Sequence, residues 1–180
     1  MNIALIPARG GSKSIRLKNL LPYKGKPLIS WSIQAALDAE KIDEVVVTSD
    51  NDEILGIAND EGVKVIKRPD ALSGDYSRDI EYLKHFTSKI ESLGIKAKPN
   101  LIIILRPTCP ERIVKDIDSA IEALDRDQTC DSLRSIKLAK ETPFKMWRLL
   151  DSGTIVPFVS KCSIPDHINA PRQILPRVYW

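Results

Sequence analysis

Between Asn2 and Leu37 this chain has no acidic side chain; its first carboxylate is Asp38. The same stretch carries Arg9, Lys13, Arg16, Lys18, Lys24 and Lys26, so its +6 leaves −3 for the rest of a 180-residue chain whose formal total is +3. Uniform basicity would suggest a broad nucleic-acid or membrane surface, whereas basicity confined to one segment points to an anionic ligand near the N-terminus. Cysteine is scarce. Cys109, Cys130 and Cys162 are odd in number and widely spaced, without a CxxC pair, so neither a disulfide framework nor a zinc site is suggested and the reduced thiols of a cytoplasm fit. No apolar run approaches the roughly 20 residues of a membrane span, and Arg9 falls where a signal peptide needs its apolar region. A soluble, cytosolic protein is expected. Aromatic residues make up only 6% of the chain, and Tyr23 is the single one among the N-terminal cations, against the stacking surface that nucleic-acid binders add to a basic face. His85 and His167 have neither triad nor metal-ligand spacing. The two commonest nucleotide motifs, GxxxxGK[ST] and GxGxxG, are also absent.

What is present is an alternation of short apolar runs with amphipathic segments of helical length. "NIALIP" (2–7), "EVVVTS" (44–49), "VKVI" (63–66) and "LIIIL" (101–105) read as strands, with "DSLRSI" (131–136) a weaker fifth. "PLISWSIQAALDAE" (27–40) opens on a proline suited to a first helical turn, and "NDEILGIANDEG" (51–62) closes on a glycine suited to a helix stop. Helices are also predicted over 77–92 and 114–125. Near-continuous Val/Ile strands separated by helices indicate an α/β fold, doubly wound about a mostly parallel sheet covered on both faces. At 43% hydrophobic residues the chain can bury one substantial core. The expected division is a nucleotide-binding core over 1–137 and, over 138–180, a proline-rich protruding arm without clean periodicity.

In such folds ligands lie beyond the carboxyl ends of the strands. Residues 8–19 follow the first strand, Ser49 and Asp50 the second, Arg68 the third, and Arg106 to Arg112 the fourth. Gly10 and Gly11 are expected to let backbone amides approach an oxyanion closely. Asn19 reads alone as a turn or helix cap. Asp50 could face the nucleotide but reads first as the cap of the helix beginning near Asn51, a contribution of about 1 kcal/mol. Lys24 and Lys26 flank Gly25 in a turn and read as solvated charges, and Cys109 reads as a small core filler.

"IPARGGSK" followed by "LKN" resembles the signature loop of the acylneuraminate cytidylyltransferases, the CMP-sialic acid synthetases. The resemblance runs on through "GKPLI", "VVVTSD", "KRPDALSGDYS", "LRPTCPER" and "APRQILP" in the family's order. It implies a nucleotide-diphospho-sugar transferase-like fold. It also implies an enzyme that transfers CMP from CTP to the anomeric hydroxyl of an acidic nine-carbon sugar, with release of pyrophosphate and with Mg²⁺ as helper. By matching motif, Arg9 and Lys18 would grip the phosphates as the catalytic cations, Ser12 would add a hydroxyl donor, and Asn19 would contact the nucleoside. Arg68 and Ser77 would line the cytidine pocket, and Arg106, Lys145 and Arg172 would face the acceptor sugar. The family usually shows "QPTSP" where this chain reads "RPTCP", so Arg106 brings a fixed positive charge where an amide is neutral. Legionaminic or pseudaminic acid is therefore as plausible an acceptor as sialic acid.

The resemblance further implies a homodimer built on the arm that contains Trp147, Phe158, Val159 and Trp180. Family members continue into an "NG" strand and a segment whose aspartates hold the catalytic Mg²⁺, whereas this sequence stops at Trp180. The expectation is a C-terminally truncated cytidylyltransferase with an intact CTP-phosphate loop and severely reduced or absent activity. Two other classes share the observations: a nucleotidyltransferase of Kdo or a sugar phosphate, and a non-catalytic module that grips a polyanion.

Overall fold

Ile3, Ala4, Leu5 and Ile6 are all fully buried, as an apolar run must be when both of its faces are covered. They form the centre of strand β1 (Asn2–Pro7) in the computed structural model, which describes residues 1–11 and 15–179. A small hairpin follows, β2 (Pro22–Tyr23) against β3 (Lys26–Pro27), turned by Lys24 at φ 47 and Gly25 at φ 87. Two successive positive φ values mark the turn whose twist matches a hairpin. Helix α1 (Leu28–Leu37), strand β4 (Glu44–Ser49), helix α2 (Asp52–Asp60) and strand β5 (Lys64–Lys67) come next. Helix α3 (Asp79–Lys89), strand β6 (Leu101–Ile104) and helix α4 (Val114–Arg126) complete the first of two compact units, Met1–Asp131.

The four long strands form one parallel sheet in the order β5-β4-β1-β6, with Ile6 opposite Val47 and Leu5 opposite Ile104. Alternation along the pleat divides the core in two. Ala4, Ile6, Val45 and Val47 pack with Ile29 and Ile33 of α1, Ile54 and Ala58 of α2, and Ile117 and Ile121 of α4. Ile3, Leu5, Val46 and Ile66 pack with Tyr82 and Phe86 of α3. Burying Phe86 completely contributes about 2 kcal/mol of transfer free energy. The doubly wound α/β expectation therefore holds. Successive crossovers place β4 and β5 on one side of β1, and the chain then returns to add β6 on the other. The order reverses between β1 and β6, and ligands of open α/β sheets bind at that reversal.

Two local expectations change. Asn51, not Asp50, caps α2, its Oδ1 accepting the Ile54 N–H at 3.0 Å. Residues 131–136 form no strand. The glycine stop holds: Gly62 adopts φ 79 just past α2, and the Val63 N–H reaches the Ala58 carbonyl at 3.2 Å.

The second unit, Ser132–Trp180, is irregular apart from the antiparallel pair β7 (Trp147–Leu149) and β8 (Ile155–Pro157). Leu138 and Tyr179 make an isolated bridge, with the Ala139 N–H on the Val178 carbonyl at 2.8 Å. Only Ala170 and Leu175 are buried apolar residues among those described there, while Trp147, Leu149, Ile155 and Phe158 are exposed. Trp180 lies outside the described residues. No helix among the described residues is long and apolar enough to cross a membrane.

Candidate functional site

Beyond β1 the chain stays paired for one more residue, the Ala8 N–H reaching the Thr48 carbonyl at 3.0 Å. Gly10 follows at a point of close approach: a Cβ built on it would lie 2.9 Å from the Asn51 Cβ. Its amide donates to the Asp50 carboxylate, Oδ1 at 3.0 Å. Glycine is thus required here for packing against the turn into α2, and its N–H is directed at a carboxylate rather than left open to an oxyanion. That corrects the expected role of Gly10 and supplies the actual role of Asp50.

Arg9, about one-third exposed, donates from Nη1 to the Gly74 carbonyl at 2.9 Å and lies 3.2 Å from Asp75 Oδ1. Ser77 shares that turn, its N–H on the Gly74 carbonyl at 3.2 Å. Asn19 is buried and donates from Nδ2 to the Arg9 carbonyl at 2.9 Å, so it fixes the backbone of Arg9 instead of capping a helix. It can do so because Leu17 adopts φ 51, ψ 35, left-handed for a branched residue, and turns the chain into the single 3₁₀ turn Lys18–Leu20. That conformation costs about 1–2 kcal/mol and is characteristic of sites where backbone direction matters. Lys18 opens the turn, half-buried. Ser12 lies outside the described residues.

Arg68 is only 4% exposed. Its amide bonds the Ser49 carbonyl at 2.7 Å, its Nη2 donates to the Thr48 carbonyl at 2.8 Å, and its guanidinium lies over the Tyr82 ring, 5.4 Å from the centroid. Its buried Nε has no hydrogen-bond partner, and no described carboxylate forms an ion pair with it. Burial lowers its pKa, the Asp50 charge opposes that, and Arg9 adds slightly to the lowering. Arg9, Asp50 and Arg68 therefore share one electrostatic neighbourhood at the carboxyl edge of β1, β4 and β5.

Across the reversal, Arg106 follows β6 and pairs with Asp79 in the first turn of α3. Its carbonyl accepts from Arg112 Nη2 at 3.0 Å and from Ser32 Oγ at 3.4 Å, and Arg112 Nη1 also reaches Ser32 Oγ at 3.3 Å. Burial lowers the pKa of Arg112. Tyr82, one turn after Asp79, has its pKa raised by burial first and by the Asp79 charge second. Cys109 is exposed, so it is not a core filler. Lys24 is paired with Glu111 at 2.5 Å, which Tyr23 also donates to at 2.8 Å, and Lys26 lies 4.2 Å from the Trp31 ring centroid. These lysines fasten the hairpin rather than simply meeting solvent.

In the second unit, Arg172 is exposed and pairs with Glu141 at 2.9 Å. It lines a cavity of about 150 Å³ with Lys140, Thr142 and Arg177. Lys145 ends a single 3₁₀ turn, Pro143–Lys145, capped by Thr142. Among the described residues no group of three or more His, Cys, Asp or Glu could hold a metal ion. Asp50, Asp79, Tyr82 and Arg112 are the site residues that sequence motifs alone did not single out. Only the positions of Asp50 and Arg112, in the stretches that follow strands, carried a signal.

A family model described as Cytidylyltransferase matches residues 3–142. The chain is 34% identical over 158 residues to an N-acylneuraminate cytidylyltransferase of Escherichia coli O18:K1:H7, covering 87% of this chain and 36% of that protein. It is 42% identical over 92 residues to a pseudaminic acid cytidylyltransferase of Campylobacter jejuni, covering 51% of this chain and 40% of that one. The chain thus spans between one-third and two-fifths of these relatives. Its fold is similar to that of a CMP:2-keto-3-deoxy-manno-octonic acid synthetase complexed with CTP, at TM-score 0.59 and 23% identity over 71% of this chain and 48% of the other. A cytidylyltransferase from Leptospira borgpetersenii gives TM-score 0.54 at 22% identity over 71% of this chain and 50% of that one.

Proposed function

Since this chain belongs to the cytidylyltransferase family, we propose that it carries the CTP-binding part of an enzyme that transfers CMP to an acidic nonulosonic sugar. The anomeric hydroxyl oxygen gives up its proton to solvent and forms a bond to the α-phosphorus, the bond to the bridging oxygen breaks, and pyrophosphate departs with that electron pair. Such a reaction depends on positioning and charge neutralisation more than on covalent catalysis. The observation that carries the reading is the buried guanidinium of Arg68, without an ion pair among the described residues, in the same electrostatic neighbourhood as Arg9 at the carboxyl edge of the sheet.

In this reading Arg9 exchanges Asp75 for phosphate oxygens and Lys18 approaches from the adjoining turn, joined by the hydroxyl of Ser12. Asn19 holds the Arg9 carbonyl, with its remaining amide valences toward the nucleoside. Arg68 and Ser77 line the cytidine side. Arg106, Lys145 and Arg172 are assigned to the acceptor, Arg172 giving up Glu141 for the sugar carboxylate. Mg²⁺ would neutralise phosphate charge when bound. The described residues make a poor metal cage, because no three His, Cys, Asp or Glu side chains among them come together, so the ion is expected on the triphosphate and water. No step here depends on it. The exposed Trp147 and Phe158 support a homodimer through the second unit, and the three free cysteines support a cytoplasmic location.

Calorimetry with CTP, UTP, GTP and ATP on this chain tests the nucleotide assignment. Arg9→Ala and Lys18→Ala should each weaken CTP binding by about 1.5–3 kcal/mol, roughly ten- to a hundredfold, without loss of fold. Unchanged CTP affinity in both folded variants would remove the phosphate-loop assignment.

A further inference from the structure

Arg106 stands at the reversal of the sheet, but its charge is not presented alone. Its side chain is half-exposed, and so is its partner Asp79, at 51% and 52%. The backbone of Arg106 is held from beneath by Arg112 and Ser32, and Asp79 projects from a helix seated on the core through Tyr82 and Phe86. Both members of the pair are therefore anchored to rigid elements on opposite faces of the sheet. A guanidinium can only donate hydrogen bonds and a carboxylate can only accept them, so the pair offers both functions side by side at zero net charge.

We propose that Arg106 and Asp79 act as one neutral donor–acceptor element that reads an uncharged polar group of the acceptor, an amide or a hydroxyl, with Asp79 as the specificity-determining residue. This rests on the cytidylyltransferase reading above. A group that both donates and accepts satisfies the pair without breaking it. A second carboxylate or phosphate would meet the Asp79 charge and would have to displace it. Without Asp79 the same position becomes an anion site.

The test compares the unaltered chain with Arg106→Gln, Asp79→Asn and the double variant, using inorganic pyrophosphate as the probe in calorimetry at low ionic strength, where exposed charges act most strongly. Arg106→Gln alone should change pyrophosphate affinity by less than about twofold, because its charge is already compensated. Asp79→Asn should raise the affinity by about two- to fivefold, the range expected for an exposed pair, and adding Arg106→Gln should remove that gain. Any other pattern overturns the proposal. Failure of the phosphate assignment is separately visible, as equal pyrophosphate affinity in the unaltered chain and Arg9→Ala. The Asp79 gain is measured regardless of that result, because it depends only on the release of Arg106.

Discussion

Replacing Gly10 by alanine probes the site without touching a charge. The new Cβ would lie 2.9 Å from Asn51 Cβ and 3.2 Å from its Nδ2, whereas carbon atoms pack at about 3.5–4.0 Å. Something must move by roughly 0.7 Å. If Asn51 moves, its cap on Ile54 is lost, at about 1 kcal/mol. If the loop moves, the Gly10 amide leaves Asp50, a charge-assisted bond of about 1.5–3 kcal/mol. Overpacking of this kind costs about 1–3 kcal/mol by itself, so the total should be at least about 1 kcal/mol and near 3 if the loop yields. In urea this is a shift of midpoint at constant slope, and in a thermal scan a fall of roughly 3–10 °C. Two controls isolate the cause. Gly11→Ala, with nothing within 4 Å of its added Cβ, should change stability by less than about 0.5 kcal/mol. Asn51→Gly removes the colliding atom for a few tenths of a kcal/mol of capping, so in the Gly10→Ala background it should restore most of the loss. Equal stability of the Gly10→Ala and Gly11→Ala variants would refute the steric argument, as would a double variant no better than Gly10→Ala.

Two further outcomes follow from the same geometry. Burial, with Lys89 and Arg68 adding to it, holds the His85 pKa below its ordinary 6.5; unfolding then takes up a proton below about pH 6.5, so stability should fall as pH drops through that value. His85→Gln should flatten the dependence of melting temperature between about pH 7 and 5, and an unchanged slope would assign the acid sensitivity elsewhere. Cys109 is exposed, so it should react with a maleimide in the folded chain, and Cys109→Ala should alter stability by less than about 0.5 kcal/mol. Protection of this thiol in the native state would contradict the loop geometry.

Much of the sheet was legible because its strands are buried on both faces, and such strands must be written as unbroken Val and Ile runs. The carboxyl edge of the sheet followed from the order of strands and helices alone, whereas the reversal between β1 and β6 is set by strand pairing. What failed was set by distance in space rather than in sequence. Asp50 and Asn51 are both good caps, and only the seat of Gly10 against the α2 turn decides that Asn51 takes the helix while Asp50 takes the loop. The segment 131–136 has only Leu133 and Ile136 as apolar residues, both exposed and three positions apart, and no neighbouring strand to pair with, so it does not make a strand. The partner of Arg106 is 27 residues away, on a helix whose rotation is fixed by Tyr82 and Phe86 in the core. No local pattern could report it.

The four arginines at this edge differ in how their charge is compensated, and that difference orders what each can do. Arg68 is buried, its guanidinium bonded to the Thr48 carbonyl and set over the Tyr82 ring, and taking a charge out of water without an ion partner costs several kcal/mol. It persists because the core on the α3 face holds it and Asp50 lies near enough to offset part of the field. Arg112 is similarly committed, to a carbonyl and a hydroxyl. Neither can reorient at low cost, so both are fixed elements. Arg9 and Arg106 are paired at the surface, where opening an ion pair costs about 0–1 kcal/mol. An anion that replaces Asp75 on Arg9 gains charge-assisted hydrogen bonds of about 1.5–3 kcal/mol, so the exchange is favourable there. At Arg106 it is opposed, because Asp79 is anchored to a packed helix turn while Asp75 lies in the loop before it. In the reading proposed above, the triphosphate would therefore meet Arg9, whose ion pair opens, and the acceptor would meet Arg106, whose ion pair is kept, on the two sides of the reversal between β1 and β6.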